Sequence, residues 1–478
     1  MGRGRLLVAW ALCAWLCLCL GACTQAPPPR LVVWIEVDTL RADSLGCYGN
    51  RGRGVGDIEP SPAIDALAAQ GVRFERAYSA APWTVPSLVT QFSGEWPWEH
   101  GVQRLMEFAP AEKLPFVPAV RSAGWRTAGV MTNFVLPGRL GFARGFERWD
   151  ESLATGHEGK SALDAVDKLL ASADELAKDP GQGLFLFGWL FDPHYRYEEH
   201  AEYRFQQGYT GSLTGNEELN DLLARRASLA PQDAQFLRAR YQGEVRYTDE
   251  AIARLLAGLR QRGWYERATI VFVADHGEEI LDRGWIGHSV HLHEELVRVP
   301  LIVKLPGSER AGALVREPVS LVDLPATVWD LMGEDSQQRF GHSRSLVSSL
   351  RQGTRPERRW IYLHTQFTPI QASALSDAKR GHQWGVIDAE TLRKWIVDHK
   401  LSPPAGMCFD LTKDPGERFN LFLAGPGLEA NMRRLRALVP EPLGADLPAP
   451  PALLPEEPWI PPLTERAGLG PAFAESPR

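Results

Sequence analysis

Cysteine is scarce in the body of this chain. Of six in all, Cys13, Cys17, Cys19 and Cys23 fall near the amino terminus, which leaves Cys47 and Cys408. That count excludes a disulfide framework, and no paired spacing of zinc-finger type occurs. One disulfide is compatible with an oxidising compartment, but separation in sequence carries no geometry, and both residues read as ordinary buried thiols. Positive charge is also short, with 52 Lys and Arg against 59 Asp and Glu for a net charge of -7. That balance argues against a nucleic-acid surface. An anionic substrate would have to be met by a metal ion and local arginines. There is no Gly-x-Ser-x-Gly elbow, which removes the commonest serine-hydrolase plan. The segment 156–161 ends like a phosphate-binding loop, but Ala154 stands where the first glycine is required, and a helix start is the better reading. No internal repeat is visible.

What the chain does have is buried-strand signals that end in acids. The apolar run 268–273 stops abruptly at Ala274-Asp275-His276-Gly277-Glu278-Glu279. A continuous apolar run of this length reads as a buried, parallel strand, and ligands in open α/β sheets bind beyond such carboxyl ends. Asp275 and His276 offer an oxygen and an imidazole to a divalent cation. Gly277 lets the backbone turn away without a side chain in the site. The run 31–37 has the same design and delivers Asp38, followed by Arg41 and Asp43; the run 184–191 delivers Asp192 and His194. Acids at a strand end also cap helices, so neither of the first two ends decides the matter alone. A third element tips the balance. Trp83-Thr84-Val85-Pro86-Ser87 places a hydroxyl at a turn before a helix-like pattern, with Pro86 suited to the first helical turn. Thr84 there is a candidate nucleophile beside free N–H groups that attract an oxyanion.

Residues 1–22 read as an export signal: a short basic segment, then an apolar stretch from Leu6 to Leu20. Leu20-Gly21-Ala22-Cys23 resembles a bacterial lipobox, which predicts lipidation of Cys23 and a membrane partner through that lipid, on the outer membrane facing periplasm or cell surface. Residues 23–30 form a linker. Strand-like and helix-like segments then alternate over 31–350, which predicts an α/β domain with a mainly parallel sheet sandwiched by helices. Within it, Gly208 to Arg240 reads as a polar, helix-like insertion over the site. Residues 351–425 carry short strand signals separated by turns, a small antiparallel α+β subdomain. Proline dominates 426–478, which suits an extended tail.

The motifs resemble, in order, those of the sulfatases of the alkaline-phosphatase superfamily. "VDTLRADSLGCYG" is similar to the first metal-binding strand, "SPAIDALAAQGVRFERAYSAAPWTVPS" to the first long helix and nucleophile loop, and "WLFDPHYRY" to the substrate-site strand. "TIVFVADHGEE" and "GHSVHLHEELVRVPLIVKLPG" resemble the second metal-binding region, and "MCFDLTKDPGERFNL" the closing strand of the small subdomain. The resemblance implies that Asp38, Asp275 and His276 ligate one divalent ion (calcium, magnesium or manganese, with zinc compatible) together with Thr84. It implies that His194 and His288 contact the ester or protonate its leaving oxygen, and that Arg41 lies near the substrate. Its implied partner is a small-molecule or glycan ester.

Two departures stand out. Many sulfatases have adjacent acids in the first motif, whereas Asp38 is followed by Thr39. Their nucleophile frame is Cys-x-Pro-x-Arg or Ser-x-Pro-x-Arg, matured to formylglycine; here it is Thr84-Val85-Pro86-Ser87-Leu88. A secondary alcohol cannot give that aldehyde. The expected activity is hydrolysis of sulfate or phosphate esters by an unmodified threonine. Phosphoryl-type transfer and a degenerate, glycan-binding sulfatase are the alternatives.

Overall fold

The computed structural model describes residues 30–156, 161–178, 181–334, 339–358, 360–366, 383–398 and 405–421. The leader, Cys23 and the Pro-rich tail lie outside the described residues. Strands β1 (Leu31–Val37), β2 (Val72–Tyr78), β3 (Arg126–Met131), β4 (Arg148–Asp150), β5 (Leu184–Leu190) and β6 (Ala268–Ala274) come first. A short hairpin of β7 (Glu279–Ile280) and β8 (Ile286–Gly287) follows, then β9 (Arg298–Lys304), β10 (Ala313–Val315) and β11 (Val319–Ser320). The large sheet has the order β10-β2-β9-β6-β1-β5-β3-β4, with β11 also on β2. From β6 to β4 every pairing is parallel; β9 runs against both β6 and β2. The mainly parallel sheet is thus as expected, with one reversed strand inside it.

β1, β5 and β6 are buried along their whole length. Their uninterrupted apolar runs suit a sheet covered on both faces. The exception is Glu36, next to last in β1, which accepts bonds from Trp34 Nε1 at 2.9 Å and Gln91 Nε2 at 2.8 Å. Burial, then the neighbouring Asp275, hold its carboxyl well above the usual range. Register decides where the strands end. Val37 pairs with Leu190 on one side and Ala274 on the other, so Asp38, Phe191 and Asp275 emerge together at one edge.

Helices cover both faces. In Ala162–Leu176 the buried residues Ala162, Ala165, Val166, Leu169, Leu170, Ala173 and Leu176 recur every three or four positions, one stripe of a helix. The long helix Pro231–Gln261 supplies Asp249, which accepts from Ala63 N and Ile64 N at 3.1 and 2.8 Å. It thereby caps the helix Pro62–Gln70 from another element. The insertion is less helical than expected: helices occupy Leu219–Arg225 and Pro231–Gln261, and residues 208–218 are irregular. Glu217 accepts from Thr214 N at 2.7 Å and Gly215 N at 2.9 Å, so a side chain satisfies backbone groups there instead, and Pro231 opens the second helix where its missing N–H costs nothing.

The small sheet is antiparallel, in the order β12 (Trp360–Thr365), β13 (Gln383–Asp388), β14 (Arg393–Asp398), β15 (Ala405–Asp410). It docks through β12, where His364 N donates to Ala80 O at 2.8 Å and Thr365 Oγ1 to Ser289 O at 2.5 Å. Cys47 and Cys408 are both free. Among the described residues, no helix is long and apolar enough to cross a membrane.

Candidate active site

Asp38, Asp275 and His276 are fully buried at the carboxyl edge of the large sheet, and their ligand atoms all lie within 4.8 Å of one another. His276 Nδ1 donates to Gly277 O at 2.8 Å, so Nε2 keeps its lone pair. That nitrogen is 3.1 Å from Asp275 Oδ2 and 3.7 Å from Asp38 Oδ1. Both of those oxygens are buried without a hydrogen-bond partner. Three lone-pair atoms facing one another in a dry interior fit a cation. Burial, then Asp275, push Asp38 up to about 8, and burial pushes Asp275 up to about 7. Burial also holds His276 below its usual value, in the neutral form that a metal needs.

The second oxygen of each acid is used to aim it. Asn133 Nδ2 donates to Asp38 Oδ2 at 2.5 Å, with Trp189 Nε1 at 3.4 Å. Asp275 Oδ1 accepts from His276 N at 2.8 Å and Thr39 N at 3.2 Å. Thr39 holds a φ of 54°, an uncommon conformation for a β-branched residue. Tyr241 maintains it by donating to Thr39 O at 2.9 Å and accepting from Arg41 N at 2.8 Å. Gly277 is required by space as well as by the turn, since a Cβ there would lie 2.0 Å from Glu295 O.

Thr84 is the first residue of the helix Thr84–Ser93, one position further in than the sequence implied, with Pro86 third. Its hydroxyl is buried and sits 3.3 Å from His276 Nε2. On the next turn Ser87 Oγ donates to Asp275 O at 2.8 Å and ties this helix to β6. Leu88, in the place of the arginine of the maturation frame, is buried among apolar residues.

His288 and His194 complete the cluster. The His288 ring lies 4.5 Å from that of His276 and 5.1 Å from that of His194. His194 Nδ1 donates to Tyr195 O at 2.5 Å, and its ring stacks on Phe191. Arg41 is placed otherwise. All five of its side-chain N–H groups are engaged: two on Asp43, two on Asp282 and one on Glu278 O. It braces the loop under the site and has no donor left for an ester. His291 and His293 turn to Glu279 and Glu417 respectively. Asn133, Trp189 and Tyr241 were not singled out from the sequence, and Thr39 and Glu278 were named there without a role. Asn133 lies two residues past the end of β3, and that signal could have found it. A cavity of about 500 Å³ is lined by His200, Tyr203, Tyr209, Phe236 and Arg240, the last three within the insertion, and by none of Asp38, Asp275 and His276.

The Sulfatase family model matches residues 30–334, which span the whole large sheet. The ulvan-active sulfatase of Formosa agariphila is 25% identical over 326 residues, covering 62% of this chain and 60% of its own length, short of two thirds. Among solved structures, the phosphonate monoester hydrolase of Agrobacterium radiobacter superposes with a TM-score of 0.66 at 19% identity, covering 86% of this chain and 95% of that one. The protein BT4656, solved with its substrate D-glucosamine-2-N,6-O-disulfate, gives 0.67 at 18% identity, covering 86% and 96%. These superpositions establish a shared fold, and the family match over most of the chain shows that it belongs to the sulfatase family.

Proposed function

We propose that the chain is a metal-dependent hydrolase of sulfate or phosphate-type esters in which unmodified Thr84 is the nucleophile. The observation that carries this reading is the Thr84 hydroxyl, 3.3 Å from His276 Nε2 and beside two unpartnered carboxylate oxygens. Asp38, Asp275, His276 and Thr84 would hold the ion, an oxygen-rich set that suits calcium, magnesium or manganese and tolerates zinc. When bound, a divalent ion lowers the pKa of a coordinated hydroxyl and neutralises charge on the ester oxygens.

The residues of the chain supply the rest. Thr84 is held by its helix and by burial at one side of the cluster, so its attack needs little reorganisation. His288 and His194 flank the other side, where one can give a proton to the leaving oxygen. With Leu88 apolar and Arg41 committed, recognition of the anionic ester falls to the histidines, backbone N–H groups and the ion. The structural likeness to a protein bound to a disulfated glucosamine directs the substrate search to sugar esters as well as small aryl esters.

A panel of aryl sulfate, phosphate monoester and phosphodiester, each assayed with added divalent metals, tests the reading. Thr84→Ala is expected to lower turnover by about 10⁴-fold, as for other covalent nucleophiles. Intact-mass analysis should find no aldehyde at position 84. Full activity in Thr84→Ala would mean that water attacks directly.

We also propose that the protein is exported and held at the bacterial outer membrane by a lipid on Cys23. The small residues before that cysteine, behind a basic and then apolar leader, support this. Cys23→Ala should release the protein from membranes, because acylation supplies the attachment. Unchanged partitioning would point to an uncleaved anchor.

A further inference from the structure

Glu278 has no role in the metal cluster, yet it is fully buried and one of its oxygens has no hydrogen-bond partner. Its other oxygen meets His288 Nδ1 at 2.9 Å. A structural carboxylate at such depth usually has both oxygens engaged, as Asp249 does on two backbone N–H groups. We propose that Glu278 is a positioning residue, fixing the His288 imidazole so that Nδ1 carries a proton and Nε2 is the nitrogen offered to the ester.

The backbone supports this from both strands. The β7/β8 hairpin pairs Glu279 with Gly287, so Glu278 and His288 are the next residues in line, facing across its open end. On the Glu278 side, Arg41 Nη1 donates to Glu278 O at 2.9 Å, while Asp282 holds Arg41 and accepts from Ile280 N at 2.8 Å. On the His288 side, Ser289 is held at a φ of 87°, with its N–H on Pro82 O at 2.9 Å and its carbonyl accepting from Thr365. Pro82 belongs to the loop that delivers Thr84, so acid and nucleophile share one frame. A carboxylate only accepts, so the 2.9 Å contact requires the proton on Nδ1. Nε2 is then left for the substrate side, where the rings of His276 and His194 lie. As Thr84 Oγ1, its proton given up to solvent, bonds to phosphorus or sulfur, the bond to the leaving oxygen breaks; His288, carrying protons on both nitrogens at that point, gives the Nε2 proton to that oxygen and is left in the form protonated at Nδ1. Glu278 keeps its protonation state throughout.

The catalytic part of this inference rests on the proposed hydrolase reading; the tautomer does not. The experiment compares wild type, Glu278→Gln, Glu278→Asp, His288→Ala and the Glu278→Gln/His288→Ala double variant on aryl esters from 4-nitrophenyl to phenyl. A positioned acid matters most where the leaving group is poor. Glu278→Gln is expected to cost roughly 10²-fold in kcat on phenyl esters and only a few fold on 4-nitrophenyl esters. Glu278→Asp should recover part of the loss, and the double variant should match His288→Ala alone, as for residues acting as a unit. Bound metal per chain should stay at the wild-type value. Nitrogen NMR of labelled imidazoles should show His288 protonated at Nδ1 in wild type and redistributed in Glu278→Gln. An equal loss for every leaving group, additivity with His288→Ala, loss of metal, or a wild-type His288 protonated only at Nε2 would each overturn the proposal. If wild type cleaves no ester in the series, the hydrolase reading fails instead, and the NMR result decides the role of Glu278 by itself.

Discussion

Among the described residues, one buried cluster of acids and histidine at the carboxyl edge of the large sheet can be set against another where the small sheet docks. At the edge, Asp38 and Asp275 face His276, and each keeps one oxygen unpartnered. At the junction, Glu417 meets Lys394 at 2.8 Å, His293 at 2.7 Å and Arg283 at 3.2 Å. All three acids have lost their water. Burial lifts Asp38 to about 8 and Asp275 to about 7. Glu417 is pulled below its usual range, because Lys394, the His293 hydrogen bond and Arg283 outweigh burial. His293 itself is pushed down to about 3 by burial and acts as a neutral donor. Glu295 shares Arg283 but is lifted to about 7, since burial outweighs the pair there. The difference lies in where the compensating charge comes from. Lysine and arginine supply it within the chain at the junction; at the edge the fold leaves it to be supplied from outside. An acid pair without its own cationic side chain has room for an added cation, whereas a compensated one is a joint.

Asp38→Asn tests the binding-site side and carries the largest expected effect. It should abolish metal binding and lower turnover by about 10³-fold or more. In chelator, however, it should leave the melting temperature unchanged or raise it, because it removes one of two like charges. A marked loss of stability in chelator would show that Asp38 is a structural residue like Glu417, and the comparison would break.

Glu417→Ala tests the joint. It strands Lys394 and Arg283 in a buried setting, which costs about 3–5 kcal/mol by analogy with other broken buried pairs. Chemical denaturation reads this directly, while kcat of the folded fraction should stay near wild type. A large fall in kcat at unchanged stability would reverse the assignment. Metal removal comes next in size. Saturating ion at about 100 times its Kd should stabilise wild type by about 2.7 kcal/mol, and Asp38→Asn should show none of this gain in calorimetry.

The smallest expected effect is the pH dependence of the joint. A carboxyl lowered on folding contributes stability above its unfolded pKa of about 4.5, and that contribution is lost as pH falls below it. Glu417→Gln should therefore be less stable than wild type at pH 7, and the gap should narrow as the pH drops through 4.5. A gap that stays constant on acidification would mean that the carboxylate charge is not what holds the joint.

The edge cluster was legible in the sequence because three buried strands announce themselves as unbroken apolar runs, and the residue after each run must emerge at the sheet edge. Asp38, Asp275 and His276 could be found that way, and Thr84 from the turn and the Pro86 that open its helix. The Arg41 position was legible beside Asp43, its commitment to Asp282 was not, since ion pairing between residues 241 positions apart leaves no local trace. The reversal of β9 was hidden for the same reason. Its apolar run reports burial, and burial is indifferent to strand direction.

The amino-acid sequence by itself determined which segments are strands, where they end and what chemistry stands there, because burial and backbone propensity act along the chain. Only the tertiary structure decided that Val37, Leu190 and Ala274 end level with one another, that Asn133 and Thr39 aim Asp38 and Asp275, and that Glu278 faces His288. Those outcomes depend on register and on contacts between distant residues, in which a shift of one position would turn each side chain to the opposite face.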